Sequence, residues 1–229
     1  MRRGAWQVGW LVALLAIMLG VVGVAVAQPP TESGREEVEI VAEQDTYIAS
    51  GQPDTNFGGS DALFIGYVIG TEEYGATRTL LQFDVASALP ENATVERVRL
   101  ILYLRYAEPP SDTLMETRVR RLDSAWGEFA VTWNSEPTWD AKLAPVMADV
   151  GSDQGPYEWD LTEMVRSWVT DEHPNYGLLL QGDETPELAR ERVFFSRDAT
   201  VGDELKPRLI VEYVVDEVPP VVTVNPLPA

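Results

Sequence analysis

The residues best suited to chemistry lie on one extended run. Between Val95 and Tyr106, Arg97, Arg99, Tyr103 and Arg105 alternate with apolar residues and so share a strand face with Ile101. A guanidinium fork takes a carboxylate through two parallel hydrogen bonds, and a tyrosine ring offers a flat apolar face with a polar tip. Together they suit an acidic sugar. They equally suit cross-strand pairing with Glu96, Glu116 or more distant acids. Arg118, Arg120 and Arg121 follow in the next extended region. Trp126, Trp133, Trp139, Trp159 and Trp168 are candidates for a sugar-stacking platform. Trp133 and Trp168 fit packing roles better. Trp139, between Thr138 and Asp140 after Pro137, is the ring expected to be most exposed and the fifth candidate ligand contact.

Other chemistries are narrowed by what the chain lacks. With no Cys and a single His, His173, thiol catalysis, Cys zinc sites and His clusters are excluded, and no Gly-x-Ser-x-Gly elbow supports a hydrolase triad. Two carboxylates suffice for a glycosidase, but nothing singles out a pair, and the chain reads as a non-enzyme. Asp45, Asp54, Asp61, Asp84, Asp149, Asp153 and Asp160 fall at strand ends or in loops. Oxygen-rich loops of this kind can hold calcium, so a structural calcium is the one cofactor considered, although no EF-hand spacing is present. Asp at such positions also caps helices and closes turns.

These residues need a scaffold, and the composition describes it. The 229 residues carry 37 Asp+Glu against 17 Lys+Arg, a net charge of −20. So acidic a chain is poorly suited to neutralising phosphates, which argues against nucleic acid as a partner. Arg2 and Arg3 precede an apolar run that closes on Ala25-Val26-Ala27, the pattern of a signal peptide over residues 1–27 cut before Gln28. Removing it takes two arginines, leaving 15 − 37 = −22. The same run is just long enough for an uncleaved anchor. Either way the domain is exported and expected to be secreted or displayed at a cell surface, with no membrane span once the leader is removed. Residues 28–37 read as a linker, 38–215 as one domain, expected to be monomeric, and 216–229, rich in proline, as a second linker or the start of a further domain.

Within 38–215, short β-branched and aromatic runs alternate with Gly, Pro, Asn and Asp clusters, which predicts an all-β sandwich of antiparallel strands. Strands are expected at Val38–Ala42, Leu63–Tyr67, Thr79–Asp84, Val95–Tyr106, Thr117–Leu122, Gly177–Gln181, Val193–Ser196 and Arg208–Val214. In the clearest of them, Val98, Leu100, Leu102, Leu104 and Tyr106 form the core-facing side. One short helix is expected after Asp160, with Asp160 and Glu163 as a capping box and Leu161, Met164, Val165 and Trp168 on one face.

The ordered phrases of this region carry a resemblance. They run from Asp45-Thr46-Tyr47-Ile48, Asn56-Phe57-Gly58 and Arg78-Thr79-Leu80-Leu81-Gln82-Phe83-Asp84 to Trp126-Gly127-Glu128 and Val131-Thr132-Trp133-Asn134. Trp159-Asp160-Leu161-Thr162, Asn175-Tyr176-Gly177-Leu178, Phe195-Ser196 and Pro207-Arg208-Leu209 complete the set. In order and spacing they resemble the DNRLRE domain, also classed as carbohydrate-binding module family 96. The resemblance implies a jelly-roll β-sandwich of two antiparallel sheets, a non-catalytic role in glycan binding or cell-surface adhesion, and an acidic polysaccharide, alginate, as the ligand type. The alternative is a structural spacer in a multi-domain surface protein. A chain this acidic repels a polyanion unless a local basic patch offsets the field.

Overall fold

The computed structural model describes residues 34–69, 74–111 and 113–215. The leader, most of the linker before the domain and the C-terminal tail lie outside the described residues. Eleven strands account for most of the rest: β1 (Arg35–Val41), β2 (Gln44–Ala49), β3 (Ala62–Val68), β4 (Gly75–Gln82), β5 (Ala93–Glu108), β6 (Met115–Arg121), β7 (Val146–Val150), β8 (Gly155–Asp160), β9 (Leu178–Gln181), β10 (Glu191–Phe195) and β11 (Arg208–Val215). A single turn, α1 (Val85–Ala88), follows β4, and α2 (Thr162–Val169) follows β8. All eight expected strands are present. β2, β7 and β8 are additional, short runs whose polar or proline content hides their pairing.

Every named pairing is antiparallel, and the pairings form one continuous curled sheet with two layers. In the first layer β11 lies between β1 and β5, and β8 takes the other edge of β5. In the second, β4 is flanked by β2 on one edge and β9 on the other, followed by β6 and β7. β3 and β10 join the layers by pairing with each other and with the ends of β4 and β5. Leu100, Leu102 and Leu104 of β5 meet Leu81, Leu178 and Leu180 of the second layer in a single core that also takes Trp159, Phe194 and Leu209. Leu102 is fully buried, as its alternation predicts.

The alternation of β5 is broken twice, and this corrects one expected facing. β5 pairs Arg97 with Glu212 but Val95 with Tyr213, so Glu96 is an extra residue; it pairs Tyr106 with Val193 but Leu104 with Phe194, so Arg105 is another. Each bulge reverses the in–out order beyond it. Tyr106 is therefore turned out to solvent and Ala107 takes the core position. Side chains hold the disturbed carbonyls: Arg166 donates to those of Val95 and Glu96 at 2.8 Å each, and Gln154 to that of Arg105 at 2.7 Å.

The helix forms where expected, with Met164, Val165 and Trp168 buried. Its start differs. Asp160 Oδ1 accepts from the Thr162 backbone N–H at 3.0 Å and from the Thr162 hydroxyl at 2.6 Å, one residue earlier than a capping box requires. Glu163 pairs with Arg166 instead of reaching back. The helix begins a residue later because Leu161 is fully buried in the core.

Candidate functional site

The five candidate contact residues fall on two separate faces. Arg97, Arg99, Tyr103 and Arg105 lie outward on the first layer. Arg99 has Glu158 at 3.4 Å and Glu37 at 3.9 Å, and Arg105 has Asp61 at 3.2 Å while lying 5.5 Å over the Phe195 ring. Tyr103 packs against the same Phe195, with ring centroids 6.1 Å apart. Ile101, midway along this face, is buried. Arg97 is exposed and has no ion pair among the described residues, though its charge contributes to holding the Asp160 carboxyl below its ordinary range, after the hydrogen bonds from Thr162. The cations of this face are therefore mostly matched by carboxylates across the strands.

Trp139 belongs to the outer face of the second layer. There a second apolar cluster, built on Ile48, Leu80, Leu122, Val131 and Leu179, is covered by the half-buried rings of Trp126, Trp133, Trp139 and Tyr176. The covering segment runs from Leu122 to Trp139, and a bridge between those two residues closes it. Asn56 clamps it, donating from Nδ2 to the carbonyls of Glu128 at 2.8 Å and Val131 at 2.7 Å. Gly58 passes so close that a Cβ would lie 2.3 Å from the Glu128 carbonyl oxygen. The Trp126 indole donates to the Tyr176 carbonyl at 2.9 Å. Gly177, at φ +82°, turns the chain into β9 where a side chain would meet the Leu81 carbonyl. The Asn56-Phe57-Gly58, Trp126-Gly127-Glu128 and Asn175-Tyr176-Gly177 phrases thus share one task, which is to hold the tryptophan-bearing segment on the sheet.

Cross-strand register then places cations beside those rings. Arg78, Gln181 and Arg118 stand in one row, and Leu80, Leu179 and Arg120 in the next. Arg78 lies 4.4 Å over the Trp133 ring and 5.9 Å from that of Trp139. Its fork takes Glu184 at 2.7 and 2.8 Å and Glu136 at 2.7 and 2.9 Å. Burial disfavours its charge, but the hydrogen bonds it donates to Glu184 and Glu136, with their negative charges, outweigh burial and hold it above the ordinary arginine range. Arg120 is different. Its guanidinium lies 5.5 Å from the Trp139 ring, its Nε is buried without a hydrogen bond, and no ion pair reaches it among the described residues. Further along the same face, Arg118, Glu116, Gln181, Asp183, Glu184 and Arg190 border a groove of about 460 Å³.

The seven aspartates considered for calcium are mostly committed elsewhere. Asp84 caps α1 through Ser87, Asp54 accepts from Asn134, Asp61 pairs with Arg105, and Asp160 opens α2. Asp149 and Asp153 are exposed. Asp45 is the exception, grouped with Glu128 and Asp198; burial pushes its carboxyl up to about 7.

Arg78 is not among the expected contacts, and Arg120 enters the sequence reading only as one of the arginines that follow the β5 face, with no link to Trp139. Their signal in sequence is weak, because neither lies near Trp139 along the chain and only the register of β4, β9 and β6 brings them to it. Trp159, by contrast, is withdrawn from any platform: it is buried, with its indole donating to Thr117 Oγ1 at 2.9 Å.

A family model described as carbohydrate-binding module family 96 matches residues 36–213, which is nearly all of the folded domain. No curated protein matches the chain.

Proposed function

The chain belongs to carbohydrate-binding module family 96, and on that premise we propose that it is an extracellular, non-catalytic module that grips an acidic polysaccharide on the outer face of its second layer. One observation carries this choice of face: Arg120, a guanidinium without a carboxylate partner among the described residues, stands beside the half-buried ring of Trp139. The ring gives a sugar its apolar C–H face a surface to pack on, and the free fork supplies charge-assisted hydrogen bonds to a uronate. Leu122, which bridges to Trp139, and Arg118 lie four residues apart along one strand direction, roughly 13 Å, so Trp139, Arg120 and the groove beyond Arg118 form a track suited to several sugars in line. Of the arginines along this track Arg120 alone has no ion pair among the described residues; Glu136 and Glu184 take Arg78, Glu116 takes Arg118 and Asp183 takes Arg190.

The test is calorimetric titration with alginate oligosaccharides against a neutral glucan oligomer as control. Trp139→Ala and Arg120→Ala should each weaken alginate binding about tenfold or more, since a hydrogen bond to a charged group contributes roughly 1.5–3 kcal/mol. Full affinity in both variants clears this face. Loss of affinity on Arg97→Ala alone transfers the site to β5, whose Arg97 also has no ion pair among the described residues. An absence of binding to any glycan supports the spacer reading instead.

A further inference from the structure

A second cluster centres on Asp45, and none of its members is among the residues proposed to touch the glycan. Asp45, Glu128 and Asp198 each bring one carboxylate oxygen within 4.8 Å of the others, although they are far apart in sequence. The backbone fixes the grouping. Asp45 N–H donates to Glu128 Oε1 at 3.1 Å, and Arg197 N–H donates to Asp45 Oδ2 at 2.7 Å. The turn carrying Asp198 is tied down in the same place, since Ser196 Oγ donates to the Ser60 carbonyl and accepts from Asp198 N–H.

The cluster is undercompensated. Arg197 forks onto Glu128 at 3.0 and 3.1 Å and lies 3.9 Å from Asp198, so three carboxylates face one guanidinium and two negative charges remain. Asp45 is 1% exposed, and its Oδ1 is buried with no hydrogen-bond partner among the described residues. A buried carboxylate oxygen left unpaired is among the most costly groups a fold can carry. A single proton would remove one of the two charges. A divalent cation removes both and gives the orphan oxygen its ligand. The donors are all oxygens, which selects a hard ion over zinc or copper. The half-open Asp198 side chain, 36% exposed, leaves an approach for the ion and for completing waters.

We propose that Asp45, Glu128 and Asp198 form a calcium site. It staples the start of β2 to the segment after β10 and, through Glu128, to the segment that carries Trp133 and Trp139. The ion would then do in a Cys-free chain what a crosslink does elsewhere, tying three distant stretches together.

The experiment uses the full chain, stripped with EDTA, desalted and titrated with calcium chloride by calorimetry and by thermal unfolding. The expected result is one saturable site and a melting temperature that rises about 3–6 °C for each tenfold of calcium above Kd. Asp198→Asn removes a surface ligand, so it should fold with an unchanged calcium-free melting temperature and bind calcium at least tenfold more weakly. That variant decides the matter even where Asp45→Asn fails to fold. Several results would overturn the site: no heat and no thermal shift up to about 10 mM calcium, well above the ~10⁻⁴–10⁻³ M range of extracellular calcium modules; wild-type calcium affinity in Asp198→Asn; or an equal response to magnesium chloride.

Discussion

Arg99 on the first layer and Arg120 on the second occupy comparable places, outward-facing and half-buried on central strands of their layers. Arg99 has two carboxylates within 4 Å, whereas Arg120 has an indole and, among the described residues, no carboxylate. The difference is one of neighbours, and the neighbours are set by register. β8 places Glu158 opposite Ile101 and β1 contributes Glu37, so the first layer neutralises Arg99, and only Arg97 at its bulged end stays without an ion pair among the described residues. On the second layer the strand next to β6 offers Leu179 opposite Arg120, and the loop above contributes a tryptophan. A cluster of arginines is therefore not in itself a binding surface. What counts is the charge that remains after the sheet has paired them.

Arg78 should give the largest effect that tests this contrast. Its fork ties Glu136 and Glu184 together beneath the tryptophans, with side chains 14–20% exposed. Arg78→Ala leaves two partly buried carboxylates unpaired and should destabilise the domain by about 2–4 kcal/mol in urea unfolding. Arg78→Lys should recover only part, because an ammonium cannot fork onto two carboxylates at once. A neutral outcome would show that the second layer does not depend on its internal pairing. Next in size, Arg120→Ala should leave urea stability within about 0.5 kcal/mol of the parent while weakening uronate binding, as stated above. A stability loss of several kcal/mol would mean that Arg120 supports packing and that the contrast with Arg78 fails. The smallest effect belongs to the first layer. Arg99→Ala combined with Arg105→Ala removes three exposed or half-exposed pairs and should cost below about 1 kcal/mol, with glycan affinity unchanged. If that double variant loses affinity at constant stability, the two faces exchange roles.

The fold was readable from the chain to the extent that alternation and turn chemistry determine it. Leu102 sits where its period of two puts it, and α2 forms around Met164, Val165 and Trp168. Tyr106 was misplaced because a bulge adds one residue without leaving a local mark. Arg105 looks like any other strand residue until β10 and the Gln154 side chain are set beside it. β8 escaped notice because Gly155-Pro156 and alternating acids look like a loop, yet pairing with the centre of β5 makes it a strand. The site was readable only in pieces. The place of Trp139 in a loop is readable from Pro137 and Asp140, but Arg78 and Arg120 become its neighbours only through β4–β9–β6 register, a long-range property. The Asp45 group is equally hidden: Glu128 closes the Trp126-Gly127-Glu128 phrase, Asp198 lies two residues past Phe195-Ser196, and only folding brings their oxygens together with that of Asp45.

The pairing of β1 with β11 has a mechanical consequence. Arg35 opposes Val214, so the chain enters and leaves the domain at adjacent points on one edge of the sheet. Tension applied through the two ends pulls those neighbours directly apart and loads the hydrogen bonds of the pair one after another, like a zip. A shearing geometry would load them together. β1 should peel first and at low force, with the remaining strands yielding only after it is gone. Optical-trap traces pulled from the two ends should show a small early extension of about seven residues before the main rupture, and attachment at Val41 and Val215 should abolish it. For a carbohydrate-binding module, such an edge would act as a slack element, lengthening under load while the rest of the sheet keeps its shape.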